Sequence, residues 1–599
     1  MLGKRSPQTN LFSADQQFLT HVGKDSFYGF LACEGRKLFR DEEFARLYCL
    51  DNGRTSVPPS LLTLALLLQT YDRVSDEEAK ARADFDVRWK VALGIEIETR
   101  PFAKSTLQLF RAQLVIHQEA QALFRRSLSY AKELGYLKGR RMRAALDTSH
   151  ILGRGAQEDT YNLIAEGIRT LSRELAKAQG EEWKAWLAAR ELSRFAAESI
   201  KGASEVNWDE ARSREAFLTG LIADGGRLLE IARKVRTGLE AEGEADQQIA
   251  QGADLLTKLL WQDVEPTERG YRIEKGTAAD RIPSVHDPEQ RHGRKSQDQR
   301  FTGHKAAIAV EPESQLITAV AVLAGNAHDS ESAAPLVEAS ESDTGLEVTQ
   351  VIGDSAYGGM PVRAELGERE VIAPSPSSRD HRSVKGGTRQ FAKAAFAIDT
   401  KNDVVRCPAG QETRHWQWAT NATSQGRVRV KQFIFANRVC QECGLRAQCI
   451  RDKWRRGRRI TLHPQEEALQ QARALEATDY FRGQYRDRVV VEHRNARLMS
   501  LGLRQARYFG RAKTLFQLAL AVAVANLTLV AGKVGLMKAK GGGKRPLLRQ
   551  LQLWNALKRA GAAFQSGYRS QELPAKTIGL PPAQAFSLRC RTRETAVFG

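Results

Sequence analysis

"RRMRAALDTSHIL", residues 140–152, is where the chain changes character. From about residue 15 to 135 the pattern is helical throughout, with no strand signal. Then Met142, Ala144 and Leu146 alternate with other residues, the two-residue period of a short strand. That strand is expected to end at Asp147. Upstream, "PPSLLTLALLLQTYDRV" has two prolines at a helix start followed by a helical apolar run. Ser75 and Glu78 have the spacing of a capping box before "AKARADFDVRWKVAL". "KSTLQLFRAQLVIHQEAQALFRRSL" reads as one long helix. Downstream, helices are expected again from about 160 to 275, with Trp183, Trp186, Trp208 and Trp261 as packing anchors.

Strands return further on. "HKAAIAV" and "LITAVAV", separated by "EPESQ", read as a hairpin. After "GNAHDS" and a helical stretch near 330–341, "VTQVIG" reads as a strand with Asp354 at its C-terminal end, and "REVIAP" as another. A loop-rich cysteine region, 375–460, and a long helical region, 464–535, follow. Asp147 and Asp354 are thus two acids that each end an expected strand. In α/β sheets such ends hold ligands, because their side chains project from a rigid edge.

A third acid stands in "YRDRVVVEH", residues 485–493. If this segment is helical, Tyr485, Arg488 and Glu492 share one face, with Met499 on the same stripe. Three carboxylates facing one another suit a hard divalent cation. Two such ions together activate an attacking oxygen and stabilise a leaving one in phosphoryl transfer.

The order of these elements, with Asp147, Asp354 and Glu492 in those places, resembles the DDE transposases of bacterial insertion sequences. The spacing Tyr485, Arg488, Glu492 resembles the signature around that family's catalytic Glu. Met499 stands where the signature has a basic residue, with Arg497 nearby. "DTSHILGRGAQEDTYNLI", "GHKAAIAV", "GNAHDS", "GDSAYGG" and "ARYFGRAKT" are similar to one branch of the family, which carries a helical N-terminal module and a cysteine cluster before the Glu. The resemblance implies an α/β protein with a ribonuclease H-like catalytic core, a mixed five-stranded sheet with helices. Around it are expected a helical DNA-binding module at 1–138, a catalytic domain at 139–535 with a helical insertion at 165–275 and a small cysteine-rich insertion at 400–460, and a basic tail at 536–599. It implies Asp147, Asp354 and Glu492 as catalytic ligands of two Mg²⁺ or Mn²⁺ ions, and Tyr485 and Arg488 as phosphate contacts. The partners implied are the terminal inverted repeats and target DNA, bound by a homodimer.

Cys440 and Cys443 form a C-x-x-C pair, with Cys449 after them and Cys407 before. Four thiolates with one tight pair suit structural tetrahedral Zn²⁺. Cys33, Cys49 and Cys590 have no partner pattern and read as packing residues. The basic run "RDKWRRGRRI" supplies Arg455, Arg456 and Arg458 as phosphate contacts, and "RHGRKSQDQRFTGHK" supplies Lys295. His286, His292, His304 and His328 have no metal-ligand spacing.

The whole composition agrees with such a partner. The 599-residue chain is 42% hydrophobic and 27% charged, with net charge +20 and a pI near 9.7. That excess favours a polyanion. The N-terminus has no apolar stretch of signal-peptide type. "LFQLALAVAVANLTLVA", 515–531, reads as a buried core helix rather than a membrane span, so a cytoplasmic protein with no membrane partner is expected. Two other readings stay open: a ribonuclease H-like DNA nuclease without strand transfer, and a catalytically idle DNA-binding descendant of a transposase.

Overall fold

The structure, a computed structural model, describes residues 1–6, 11–49, 52–117, 119–295, 298–375, 391–423, 426–450 and 456–539. The chain divides into two units, Met1–Gly535 and Leu536–Gly599. The sheet and the packing described below lie in the first. Of the expected features, the tail beyond 539, Cys590 and Arg455 lie outside the described residues.

Helix α1, Pro59–Asp72, starts on Pro59 and stops where Arg73 turns left-handed at φ 60°. Its apolar run has no polar stripe, and Leu61 to Gln69 are all buried, as a helix hydrophobic all round must be. Ser75 caps the next helix by accepting from the Glu78 N–H at 3.1 Å. The long helix expected from 104 is two, Lys104–Ile116 and Ala122–Glu133, with a 3₁₀ turn between them. The break lets the second helix turn its own apolar face, Leu123, Phe124 and Leu128, into the core.

Strand β1, Arg141–Leu152, runs five residues past Asp147. The expectation that it ends at the acid is corrected by its two neighbours. On one side β1 pairs in parallel with a later strand only as far as Ala145. On the other it pairs antiparallel all the way from Ala145 to Leu152. The strand therefore loses one neighbour just before Asp147 and keeps the other.

After β1 come α2 (Thr160–Ala178), α3 (Ala211–Arg236) and α4 (Glu244–Trp261). They close over a core of their own that includes Trp186, with Trp183 and Trp208 packed against it. Trp261 departs from the packing expectation: it is 52% exposed and meets only the ring edge of Tyr271. A short hairpin, Val264–Thr267 with Gly270–Ile273, stands where helix was expected.

The central sheet then adds β2 (Arg291–Arg294), β3 (Arg300–Val310), β4 (Ile317–Ala324), β5 (Glu347–Ile352) and β6 (Glu370–Ile372). It is six-stranded and mixed. β4, β3, β1, β5 and β6 lie side by side, and β2 extends the edge beside the start of β3. β3 and β4 form the expected hairpin, and β5 and β6 run parallel.

The cysteine region is not loop-rich as expected. It holds a three-stranded sheet within 397–413 and a second made of β7 (Trp416–Thr423), β8 (Gly426–Ile434) and β9 (Arg459–Thr461). Their core is small: Phe396, Val405, Phe433, Phe435, Ile460 and Leu462. The last helices are α5 (Val489–Leu498) and α6 (Arg511–Ala539). Arg511–Lys533 is long and apolar enough to cross a membrane, but 78% of its apolar window is buried inside the protein. It shares one core with the sheet and the N-terminal helices.

Candidate active site

Register alone brings two of the three acids together. Ala145 pairs with Ile352, so Asp147 and Asp354 each stand two residues beyond the last parallel pair. The peptide N–H of Ala356 donates to Asp354 Oδ1 at 2.8 Å, which fixes that carboxylate at the turn after β5. Asp147 is the more confined. Burial pushes its carboxyl up to about 6; Arg488 nearby works against the rise and Asp354 adds to it. A desolvated carboxyl is harder to ionise, and a neighbouring acid adds to that.

The segment carrying the third acid is strapped along β1. Before α5, Asp487 accepts from Arg143 Nη1 at 2.7 Å, and Gln484 accepts from the same nitrogen at 2.8 Å. After α5, the Leu152 N–H donates to the Arg504 carbonyl at 2.9 Å and the Ala506 N–H to the Leu152 carbonyl at 2.8 Å. Between these ties α5 crosses β1, and Asn495 Nδ2 donates to Asp147 Oδ2 at 2.9 Å. Asn495 lies three residues after Glu492, so both project from one side of the helix. Glu492 itself is half exposed and paired with Arg488 Nη1 at 2.7 Å.

The expected single helix over 485–499 is interrupted. Asp479–Tyr485 is helical, Arg486–Arg488 tightens into a 3₁₀ turn, and a π turn with Gly502 at φ 91° follows α5. Tyr485 stacks on Phe481 at 5.6 Å and packs against the core, so its ring supports the segment. Arg488 is committed to Glu492, with its Nε buried and without a hydrogen bond.

Several residues at the site were not singled out from sequence. Asn495 is one; the signal that marks it is its helical offset from Glu492. Tyr357, in "GDSAYGG", is buried at 1% exposure, and burial drives its phenol well above the usual range, with Asp329, Asp147 and Asp354 adding to the rise. Asp329 in turn accepts from Lys305 Nζ at 2.8 Å. The Tyr357 hydroxyl meets the Ser332 hydroxyl at 3.4 Å, just after the "GNAHDS" loop. His150 and Arg504, 3.4 Å apart, form a basic margin with exposed Lys295; burial first, then these two cations, lower the His150 pKa. His304 is fully buried against Asp287 at 3.4 Å, and His328 caps the 3₁₀ turn at Asp329.

The four cysteines Cys407, Cys440, Cys443 and Cys449 line one cavity of about 30 Å³ with Phe435 and Arg458. Burial, then the neighbouring thiols, push Cys449 up to about 11. Arg458 donates to the carbonyls of Cys449 and Phe391 at 3.0 and 3.1 Å, so its fork holds this region together. Arg456 is exposed. Cys33, within the helix Phe27–Leu38, and Cys49, expected to pack, are both exposed. Among the described residues no group of three or more His, Cys, Asp or Glu side chains is arranged to hold a metal ion.

Residues 406–531 match the family described as Transposase DDE domain, and residues 34–113 match Transposase domain (DUF772). The two matches support a DDE transposase of the insertion-sequence type. Glu492 and the four cysteines fall within the first match, whereas Asp147 and Asp354 lie in the stretch between the two. No curated protein and no solved structure matches the chain. A DDE domain suggests a DNA-cutting and DNA-transferring enzyme, of a family that generally uses divalent metals such as Mg²⁺.

Proposed function

We propose that this transposase binds the terminal inverted repeats of its element, cleaves a strand at each end with activated water, and joins the freed 3′-hydroxyl to target DNA. The observation that carries the reading is the register that sets Asp147 beside Asp354, with α5 tied across β1 at Asp147 through Asn495. The strand order supports a ribonuclease H-like core: the first strand central, antiparallel β3 on one side with β4 hairpinned to it, and two parallel strands on the other.

The donor set fits hard cations. Asp147, Asp354 and Glu492 would hold two Mg²⁺ or Mn²⁺ ions, which supply Lewis-acid activation of the attacking oxygen and stabilisation of the leaving one. The protein's own groups do the positioning. Asn495 holds one oxygen of Asp147, the Ala356 N–H holds one of Asp354, and Arg488 holds Glu492 until DNA phosphate competes for its guanidinium. Lys295, Arg504 and the exposed Arg456 lie ready for phosphates. Cys407, Cys440, Cys443 and Cys449 would hold a structural Zn²⁺; what supports this is their shared cavity and a chemistry of four sulfurs. The helical module at 1–138 is the reader of the repeats, and two protomers bring the two ends together.

A strand-transfer assay tests the reading. Purified protein with Mg²⁺ and duplexes carrying the element's own ends should nick at the end and join pre-cut ends to a plasmid. Nicking without joining leaves the nuclease reading, and metal-independent inertness with intact binding leaves the idle descendant.

A further inference from the structure

We infer that the two-stranded ribbon of β7 and β8 is a duplex-DNA contact of its own, entering a groove with Trp418, Arg427 and Arg429. The inference rests on the transposase reading and adds a surface to it. The ribbon pairs over eight positions, from Trp416 with Phe433 to Thr423 with Gly426. At about 3.3 Å per residue it is roughly 26 Å long.

Its base is anchored. Phe433 is fully buried in the cysteine region's core, Trp416 packs there, and β9 pairs with Gln432–Ile434. Its outer part is not covered. Gln417, Trp418, Thr420, Asn421, Arg427 and Arg429 are all exposed, so both faces meet solvent. Paired residues of a ladder share a face. Trp418 pairs with Lys431 and Thr420 with Arg429, which puts the indole and the cations on one side. Trp418 is 49% exposed, with the Arg429 guanidinium 4.7 Å from its ring centre. Lys431 covers Trp416 in the same way at 4.6 Å and is held by Asp403.

Charge identifies the occupant. Residues 414–434 contain Arg414, Arg427, Arg429 and Lys431 and no Asp or Glu. Arg427 and Arg429 make no ion pair among the described residues. Trp418 meets Trp416 edge-on at 5.4 Å yet leaves half its surface in solvent, and an exposed aromatic beside basic groups suits a nucleic acid. A major groove about 12 Å wide admits a two-stranded ribbon, whose strands lie about 5 Å apart.

The test uses the full chain without divalent metal and measures Kd by fluorescence anisotropy. The probes are a duplex of about 40 base pairs of arbitrary sequence and its single strand, from about 50 to 200 mM salt. Each phosphate contact contributes about 0.9 to the slope of log K against log salt. R427Q/R429Q should lower that slope for the duplex by about 2 and weaken binding at low salt. W418A should weaken duplex binding by about five- to a hundredfold with the slope unchanged, and W418F should recover part of it. R212Q/R233Q, an equal loss of charge at two exposed positions of α3, should leave the slope as it is. If W418A fails to fold, the exposed arginine pair carries the test alone. Wild-type slope and affinity in R427Q/R429Q, or a loss confined to the single strand, overturns the ribbon while leaving strand transfer by the wild type intact. A wild-type chain that binds no DNA at all overturns both.

Discussion

Asp147 and Cys449 both belong to proposed metal-ligand sets, and both are pushed up in pKa first by burial. Their supports differ. Asp147 sits on the central strand of a sheet whose core runs from Phe27 to Ala531. The cysteines lean on a core of six buried residues. A large shared core holds a carboxylate in place whether or not an ion is present. A small one buries too little apolar surface to outweigh chain entropy and gains in proportion from a bound metal. The two proposed metal sites should therefore respond differently to the same insults.

The largest contrast is chemical. D147A, D354A and E492A should each reduce strand cleavage by on the order of a thousandfold or more, because a misplaced cation forfeits several kcal/mol of transition-state stabilisation. DNA affinity and the melting curve should stay near those of the wild type. Cleavage at wild-type rate in any one variant removes that residue from the site.

Zinc should behave in the opposite way. The protein prepared without chelators should carry about one Zn²⁺ per chain, and C440S should lose it. Hydrogen exchange should then rise across 397–461 while the strands around Asp147 stay protected. Uniform loss of protection through the whole chain would show that the two regions are not independent, and zinc-free protein with unchanged exchange would remove the metal.

Asn495 sharpens the comparison at closer range. N495A leaves all three acids but releases Asp147, so cleavage should fall by about ten- to a hundredfold, the usual cost of removing a group that orients a ligand. The loss should appear as a higher Mg²⁺ requirement, a readout that a general folding defect would not give. The smallest effect belongs to the tie between Arg143 and Asp487. Asp487 is partly exposed, so D487N should cost about 1 kcal/mol or less in chemical denaturation. A cost far above that would mean that this tie, rather than the core, holds α5 in place.

Much of this was legible in the order of residues. The hairpin at 304–322, the strands before Asp354 and at 370–372, and the buried C-terminal helix follow from local periodicity, which burial on one face imposes on the chain. The break at 117–121, the hairpin at 264–273 and the sheets of the cysteine region were not legible. Short polar strands carry little periodic signal, and their pairing comes from distant partners. The end of β1 was misread because its apolar alternation stops at Leu146, while its hydrogen bonds to β3 do not.

The sequence by itself supplied three acids whose order resembles that of a DDE enzyme, four cysteines before the last of them, and a basic excess that favours a polyanion. These are statements about residue type and spacing, which need no coordinates. Only the tertiary structure decided that β1 loses its parallel neighbour just before Asp147, that Asn495 rather than an arginine touches that acid, that Tyr485 and Arg458 support the fold, and that Trp418 stands in solvent beside Arg429. Each of these depends on groups far apart in the chain meeting in one place. Register, burial and crossing strands set that meeting, and no local pattern records it.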